Sequence, residues 1–209
     1  MLHVKEEVKF EKLLCLDYYH SDNTKQDNGL LIFLHGSGDC YNNKKETEQF
    51  LKYYYEFIKD ISENIVVCVP ICCAGKIWEP DDMKVIIDTM INKYQLNKNR
   101  VYIIGHSMGA RGVWSTICHY PDLFSAAVPI SGYSYYLLAK HAVNIPIWCF
   151  HGTEDTVVPI EESIKMVFAI KNHDGNLIKF SKLQGIGHNE SGYVIFNKEV
   201  YKWMFNNVK

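Results

Sequence analysis

Arginine is nearly missing from this chain: Arg100 and Arg111 are the only two in 209 residues, and lysine supplies the rest of its 22 basic side chains. Planar bidentate clamps for phosphates or base edges are therefore almost out of reach. With 22 basic against 24 acidic residues and a formal charge of −2, the chain has no basic footprint for nucleic acid. Long apolar runs are missing as well. No stretch approaches the ~20 apolar residues of a membrane helix, so no stable membrane insertion is expected. Met1 to Phe10 mixes charged and apolar residues, where a secretory leader would carry an unbroken apolar core. Paired cysteine motifs are also lacking. The seven cysteines (Cys15, Cys40, Cys68, Cys72, Cys73, Cys118 and Cys149) are odd in number and have no CxxC spacing, which suggests free thiols in a reducing, cytoplasmic compartment. Cys68 and Cys149 lie in apolar strand-like runs and read as small core residues.

What is present is an ordinary globular composition, 47% hydrophobic and 22% charged. A chain of this length buries roughly 70% of its unfolded surface and needs no disulfide or metal staple. Without linker, repeat or low-complexity stretch, residues 1–209 read as one domain. Two extended segments, 4–10 and 12–19, open the chain and are expected to form an antiparallel hairpin. A polar loop at 21–28 follows. Short β-rich runs at 30–34, 65–69, 101–104, 126–130, 145–150 and 177–183 then alternate with segments of helical spacing at 50–61, 83–94, 113–120, 160–170 and 194–205. This is the rhythm of βαβ units. Five of the runs are expected as parallel strands; 30–34 and 101–104 are apolar on both faces, as strands covered by helices on each side should be. The fold class is α/β, with a mostly parallel sheet between two helical layers.

The chemistry starts at Gly105-His106-Ser107-Met108-Gly109, which follows a β-run and precedes a helical pattern. A G-x-S-x-G turn between strand and helix lifts a serine hydroxyl off the strand end and needs side-chain-free residues where the backbones crowd. The helix that follows aims free N–H groups and a positive dipole end at the hydroxyl, which suits an oxyanion. Chance would place such a motif in this chain roughly 0.04 times.

A serine hydroxyl is a poor nucleophile at neutral pH and requires a histidine base oriented by an acid. In this strand–turn–helix setting both follow in the chain, the acid first, each on a loop after a later strand. Asp155 stands on the loop His151-Gly152-Thr153-Glu154-Asp155, after the run 145–150. His188 stands in Gly185-Ile186-Gly187-His188, after the last run. Glu154 adjoins Asp155 as an alternative acid, but the shorter carboxylate holds the turn position before Val157-Val158-Pro159. His106 lies beside the serine and is expected to point elsewhere, and His151 to pack or hydrogen-bond locally. His119, His141 and His173 fall on or near helices. The turn His35-Gly36-Ser37-Gly38 after the run 30–34 can face a backbone N–H to the substrate. Ser37 and Met108 N–H are therefore the expected oxyanion donors.

On these residues the chain resembles, over nearly its whole length, the small, lidless carboxylesterase, phospholipase and acyl-protein-thioesterase-like group of α/β-hydrolases, including esterases often described as predicted peptidases. The resemblance is carried by Leu34 to Asp39, Gly105 to Gly109, His151-Gly152 with Asp155 and Val158-Pro159, Gly187-His188, and the junction from Tyr120 to Val128. Where acyl-protein thioesterases usually carry Gln after the nucleophile and a large apolar residue in the oxyanion turn, this chain has Met108 and Ser37. The resemblance implies a three-layer α/β-hydrolase fold without a large cap. It also implies a serine hydrolase cleaving esters of short to medium acyl chains, or thioesters, with a Ser107, Asp155, His188 triad and no metal or organic cofactor. A peptidase or amidase with the same triad and a non-catalytic ligand binder on the same fold are the alternatives. The partner is a small-molecule ester or thioester; a homo-oligomer stays open. Only residues 131–144 separate the runs at 126–130 and 145–150, too few for a two-helix cap. Tyr133, Tyr135 and Tyr136 are expected to line one rim of the site. Trp78 either faces them across it or is pinned on the core.

Overall fold

The computed structural model describes residues 2–6, 13–20, 27–39, 54, 57, 64–72 and 75–209. Its centre is an eight-stranded sheet in the order β1-β2-β4-β3-β5-β6-β7-β8. The strands are β1 (Leu2–Glu6), β2 (Leu13–His20), β3 (Gly29–Leu34), β4 (Ile65–Cys72), β5 (Val101–His106), β6 (Ala126–Ile130), β7 (Ile147–Gly152) and β8 (Ile178–Leu183). β1 and β2 pair antiparallel, β2 joins β4 antiparallel, and the other neighbours are all parallel. The expected hairpin is there, with its first strand at 2–6 instead of 4–10; residues 7–10 and 12 of that expectation lie outside the described residues.

Six strands run parallel, one more than the sequence pattern suggested. β8 closes the sheet as an edge strand in which only Ile178 is buried and Lys179 and Lys182 are exposed, so it lacks the apolar density that marks β3 and β5. Every residue of β3 is buried, and alternate side chains feed two cores. Leu30, Ile32 and Leu34 pack with buried residues of α1 (Pro80–Tyr94), α2 (Met108–His119) and α3 (Ile160–Lys171). Leu31 and Phe33 face the opposite core with Tyr54, Tyr102 and the apolar side of α5 (Lys198–Phe205), which supplies Val200, Tyr201 and Met204. Of the helix expected at 50–61, Tyr54 and Phe57 fall among the described residues and both are helical.

The chain between β6 and β7 holds a single 3-10 turn, Tyr136–Ala142, and no cap. Among the described residues no helix is long and apolar enough to cross a membrane. Cys118 and Cys149 are buried free thiols, and Cys68 and Cys72 are buried as well. Burial pushes the Cys118 and Cys149 thiols up to about 12.

Candidate active site

All the predicted site loops leave the carboxyl ends of parallel strands, the end at which open α/β sheets gather their ligands. Between β5 and α2, Ser107 adopts φ 58° and ψ −119°, a region that costs a non-glycine residue about 1–3 kcal/mol. The surroundings over-determine this turn. The Ser107 N–H donates to Ile130 O at 2.9 Å, and Arg111 N–H donates to Ser107 O at 3.0 Å. Ser107 occupies the helix N-cap position, yet its hydroxyl makes no capping bond. It lies instead 2.8 Å from His188 Nε2.

His188 opens α4 (His188–Ser191), a single turn after β8. Its Nδ1–H donates to Asp155 Oδ2 at 2.7 Å, which leaves Nε2 to accept the Ser107 proton. The Asp155 carboxylate is fully enclosed. Its other oxygen accepts the N–H groups of Val157 and Val158 at 2.9 and 2.8 Å, the short-side-chain turn that the following Val-Val-Pro suggested. Burial works against the charged carboxylate, but the His188 bond and the two amides outweigh it and hold the carboxyl below its ordinary range. Glu154 is exposed and makes no such contact. The structure therefore brings Ser107, His188 and Asp155 into one hydrogen-bonded run.

Two further histidines secure this run, and sequence reasoning gave neither that role. Buried His151 sits on the far side of Asp155, with Nε2 2.9 Å from Val158 O and 3.2 Å from Asp155 Oδ2. A proton on Nε2 serves both acceptors, so Nδ1 accepts from Ser163 Oγ at 2.7 Å. His106, beside the serine, indeed points away from it. Its Nε2–H donates to the main-chain carbonyl of His188 at 2.9 Å, and the two rings pack at 4.9 Å. Ser191 donates to the same carbonyl at 2.7 Å and meets the buried Ser131 hydroxyl at 2.6 Å. A histidine inside G-x-S-x-G and a serine directly after a strand were the available signals.

The turn after β3 runs beside the elbow: a Cβ placed on Gly36 would lie 3.7 Å from the Ser107 Cβ. Ser37 begins a 3-10 turn and Met108 begins α2, so both have N–H groups without an intrahelical acceptor. His35, beneath them, is fixed from two sides. Its Nδ1–H donates to Gly36 O at 2.7 Å, and its Nε2 accepts the Cys72 N–H at 3.0 Å. Trp78 belongs to this support. The indole is 1% exposed, stacks edge-on to His35 and donates to His35 O at 3.0 Å. A side chain so enclosed cannot overhang an open cleft, which corrects the expectation that Trp78 faces the tyrosines across the site. Tyr133, by contrast, is half exposed and lines a pocket of about 380 Å³ with Tyr135, Tyr136 and Arg111.

An α/β sheet with no cap among its described residues and with a hydrogen-bonded Ser, His and Asp at its carboxyl edge defines the class, and the comparisons agree with it. The phospholipase/carboxylesterase family model matches residues 80–197, and the chain belongs to that family. Among curated proteins it is similar to the bifunctional acetylxylan esterase/xylanase XynS20E of Neocallimastix patriciarum, 28% identical over 151 residues, 69% of this chain and 22% of that protein. An uncharacterized secreted protein of Arthroderma benhamiae is 26% identical over 132 residues, 48% of this chain and 14% of that protein. The chain thus spans about a fifth or less of the length of these relatives. Among solved structures, a thermostable esterase superposes with TM-score 0.80 at 23% identity, over 100% of this chain and 63% of that one. S-formylglutathione hydrolase FrmB of Staphylococcus aureus gives 0.74 at 16%, over 98% and 99%. An acetyl xylan esterase from Aspergillus awamori gives 0.65 at 15%, over 94% and 98%. These likenesses establish the α/β-hydrolase fold.

Proposed function

We propose that the chain is a serine ester hydrolase working through an acyl-enzyme. Ser107 is the nucleophile, His188 the base and then the acid, Asp155 the orienting carboxylate, and the Ser37 and Met108 N–H groups the oxyanion donors. The reading is carried by the run from Ser107 Oγ through His188 to Asp155, in steps of 2.8 and 2.7 Å. Ser107 Oγ bonds to the acyl carbon while its proton passes to His188 Nε2. The imidazolium is stabilised by the Asp155 carboxylate, and the negative carbonyl oxygen by the two amides. Collapse breaks the bond to the alcohol oxygen, which departs with the proton from His188. Water then attacks the acyl-enzyme in the same way, releasing the acid and restoring Ser107. A thiol would leave a thioester by the same steps.

The acyl group is short. A single 3-10 turn between β6 and β7 offers no cap to enclose a long chain. Each buried methylene contributes about 0.8 kcal/mol, nearly fourfold in binding, so selectivity should climb over a few carbons and stop. The names of two similar proteins, both acetyl xylan esterases, agree with a small acyl group. A fluorophosphonate probe should label Ser107 and leave Ser107→Ala unlabelled. On p-nitrophenyl esters from acetate to palmitate, kcat/KM should peak at roughly two to six acyl carbons. A folded protein that resists the probe would be a ligand binder, and a maximum at twelve carbons or beyond would show a deep acyl tunnel.

A further inference from the structure

A second feature lies one helical turn from Ser107. Arg111 stands four residues after Ser107 on α2, its N–H closing the first turn onto Ser107 O. Helical side chains lean toward the N-terminus. Arg111 therefore leans toward the end of α2 that presents the nucleophile. The chain after β6 closes over the same turn: a Cβ on Gly132 would meet the Ala110 Cβ at 2.4 Å and the Arg111 nitrogen at 3.0 Å. Directly after Gly132 come the tyrosines of the 380 Å³ pocket, whose charged lining is Arg111, Glu162 and Lys165.

The charges in this pocket do not cancel. Lys165 donates to the Glu162 carboxylate at 2.6 Å, so that pair is neutral as a unit. The Arg111 guanidinium lies over the Tyr133 ring, 5.9 Å from its centroid. No ion pair engages it among the described residues. The chain's other arginine, Arg100, is committed to Asp27. A planar, always-charged fork on an aromatic face, half-buried and without a carboxylate of its own, is suited to take one bidentately from a ligand. Charge and position together point outward to the substrate.

Building on the ester-hydrolase reading, on which it rests, we infer that this pocket binds a carboxylate carried by the substrate itself. Arg111 holds it through paired N–H donors, and Tyr133 and Tyr136 flank the part of the molecule that joins it to the reacting ester. The preferred substrates are then anionic esters, and the site discriminates by charge as well as by acyl length.

Matched pairs of esters test this. Para-acetoxybenzoate against its methyl ester places the carboxylate on the leaving group, and mono-p-nitrophenyl glutarate against p-nitrophenyl valerate places it on the acyl group. In at least one pair the wild-type enzyme should favour the anion in kcat/KM by about tenfold to a hundredfold, the range of a charge-assisted hydrogen bond pair. Arg111→Met, which keeps the apolar stem on Tyr133, should abolish the preference, Arg111→Lys should keep part of it, and added salt should shrink it. Because the readout is a ratio, a general loss of folded enzyme cancels. Absence of preference in both pairs, or a preference that survives in Arg111→Met, overturns the inference while leaving the hydrolase reading intact. Should no ester be turned over, that reading fails and the pocket is read directly by calorimetry of benzoate on Ser107→Ala. Binding lost on adding Arg111→Met supports the carboxylate site, and binding absent or unchanged overturns it.

Discussion

Substituting Gly109 by alanine separates this site from an ordinary helix start. Gly109 is the second residue of α2, where helix propensity alone gives alanine an advantage of about 1 kcal/mol. The structure predicts the opposite sign. A Cβ at this position would lie 1.9 Å from Leu34 O, 2.7 Å from Leu34 C and 3.0 Å from His35 O. Close carbon–oxygen contacts stop at about 3.3 Å, so the gap has to open by about 1.4 Å. The obstacle is backbone, in a strand paired on both sides with β4 and β5, and cannot swing aside as a side chain would. Overpacking costs about 1–3 kcal/mol and should reach the upper end here, for a net loss of about 2 kcal/mol. At this chain length that lowers Tm by roughly 4–8 °C. The displacement falls on the chain leading into Gly36 and Ser37, moving that turn relative to Ser107. A misplacement near 1 Å costs on the order of 10²-fold in rate. Thermal melts and p-nitrophenyl acetate kinetics on Gly109→Ala should therefore show both losses, with kcat/KM at room temperature falling much further than so modest a change in Tm accounts for. A variant melting at or above wild type with full activity would refute the close crossing of α2 over β3.

The remaining predictions concern the groups behind Ser107. Asp155→Asn presents an amide where His188 Nδ1–H needs an acceptor, and kcat should fall about 10³- to 10⁴-fold. Glu154→Gln should stay close to wild type, and the reverse outcome would reassign the acid. His106→Ala removes one of the two donors to the His188 carbonyl, Ser191 being the other, and losing one such hydrogen bond costs about 0.5–1.5 kcal/mol. The loss should appear in kcat, about tenfold, with KM unchanged, and His106→Gln should recover part of it. A loss confined to KM would show that His106 shapes binding and not the base.

What was legible in the sequence, and what was not, divides along one physical line. The parts set by local pattern could be read directly. β3 and β5 are apolar on both faces because helices cover both. The G-x-S-x-G elbow follows from the crowding of α2 against β3, visible as glycine at 105 and 109. Asp155 was distinguishable from Glu154 because a carboxylate at the first turn position can take the amides two and three residues on, and those bonds formed. The count of parallel strands fell one short, and an edge strand such as β8, half open to water, lacks the apolar run that signals its neighbours.

Pairings across the sheet were hidden. Trp78 turned from a candidate rim residue into a pillar under His35, 43 residues away in sequence, and no periodicity near Trp78 distinguishes those two fates. The same holds for His106, whose partner is the carbonyl of a residue 82 positions later, and for Ser131 with Ser191, 60 apart. Local composition records what a residue is and seldom whom it meets. The histidines were accordingly easy to sort by position on a loop or helix, yet their division of labour depends on the ends of four strands, β3, β5, β7 and β8, meeting at one sheet edge. Once they do, each ring has a single consistent set of partners. His188 stands between Ser107 and Asp155, His151 backs the carboxylate, His106 holds the loop of His188, and His35 fixes the turn at Gly36. Four of the nine histidines are thus placed around one hydroxyl by contacts that no short window of the sequence contains.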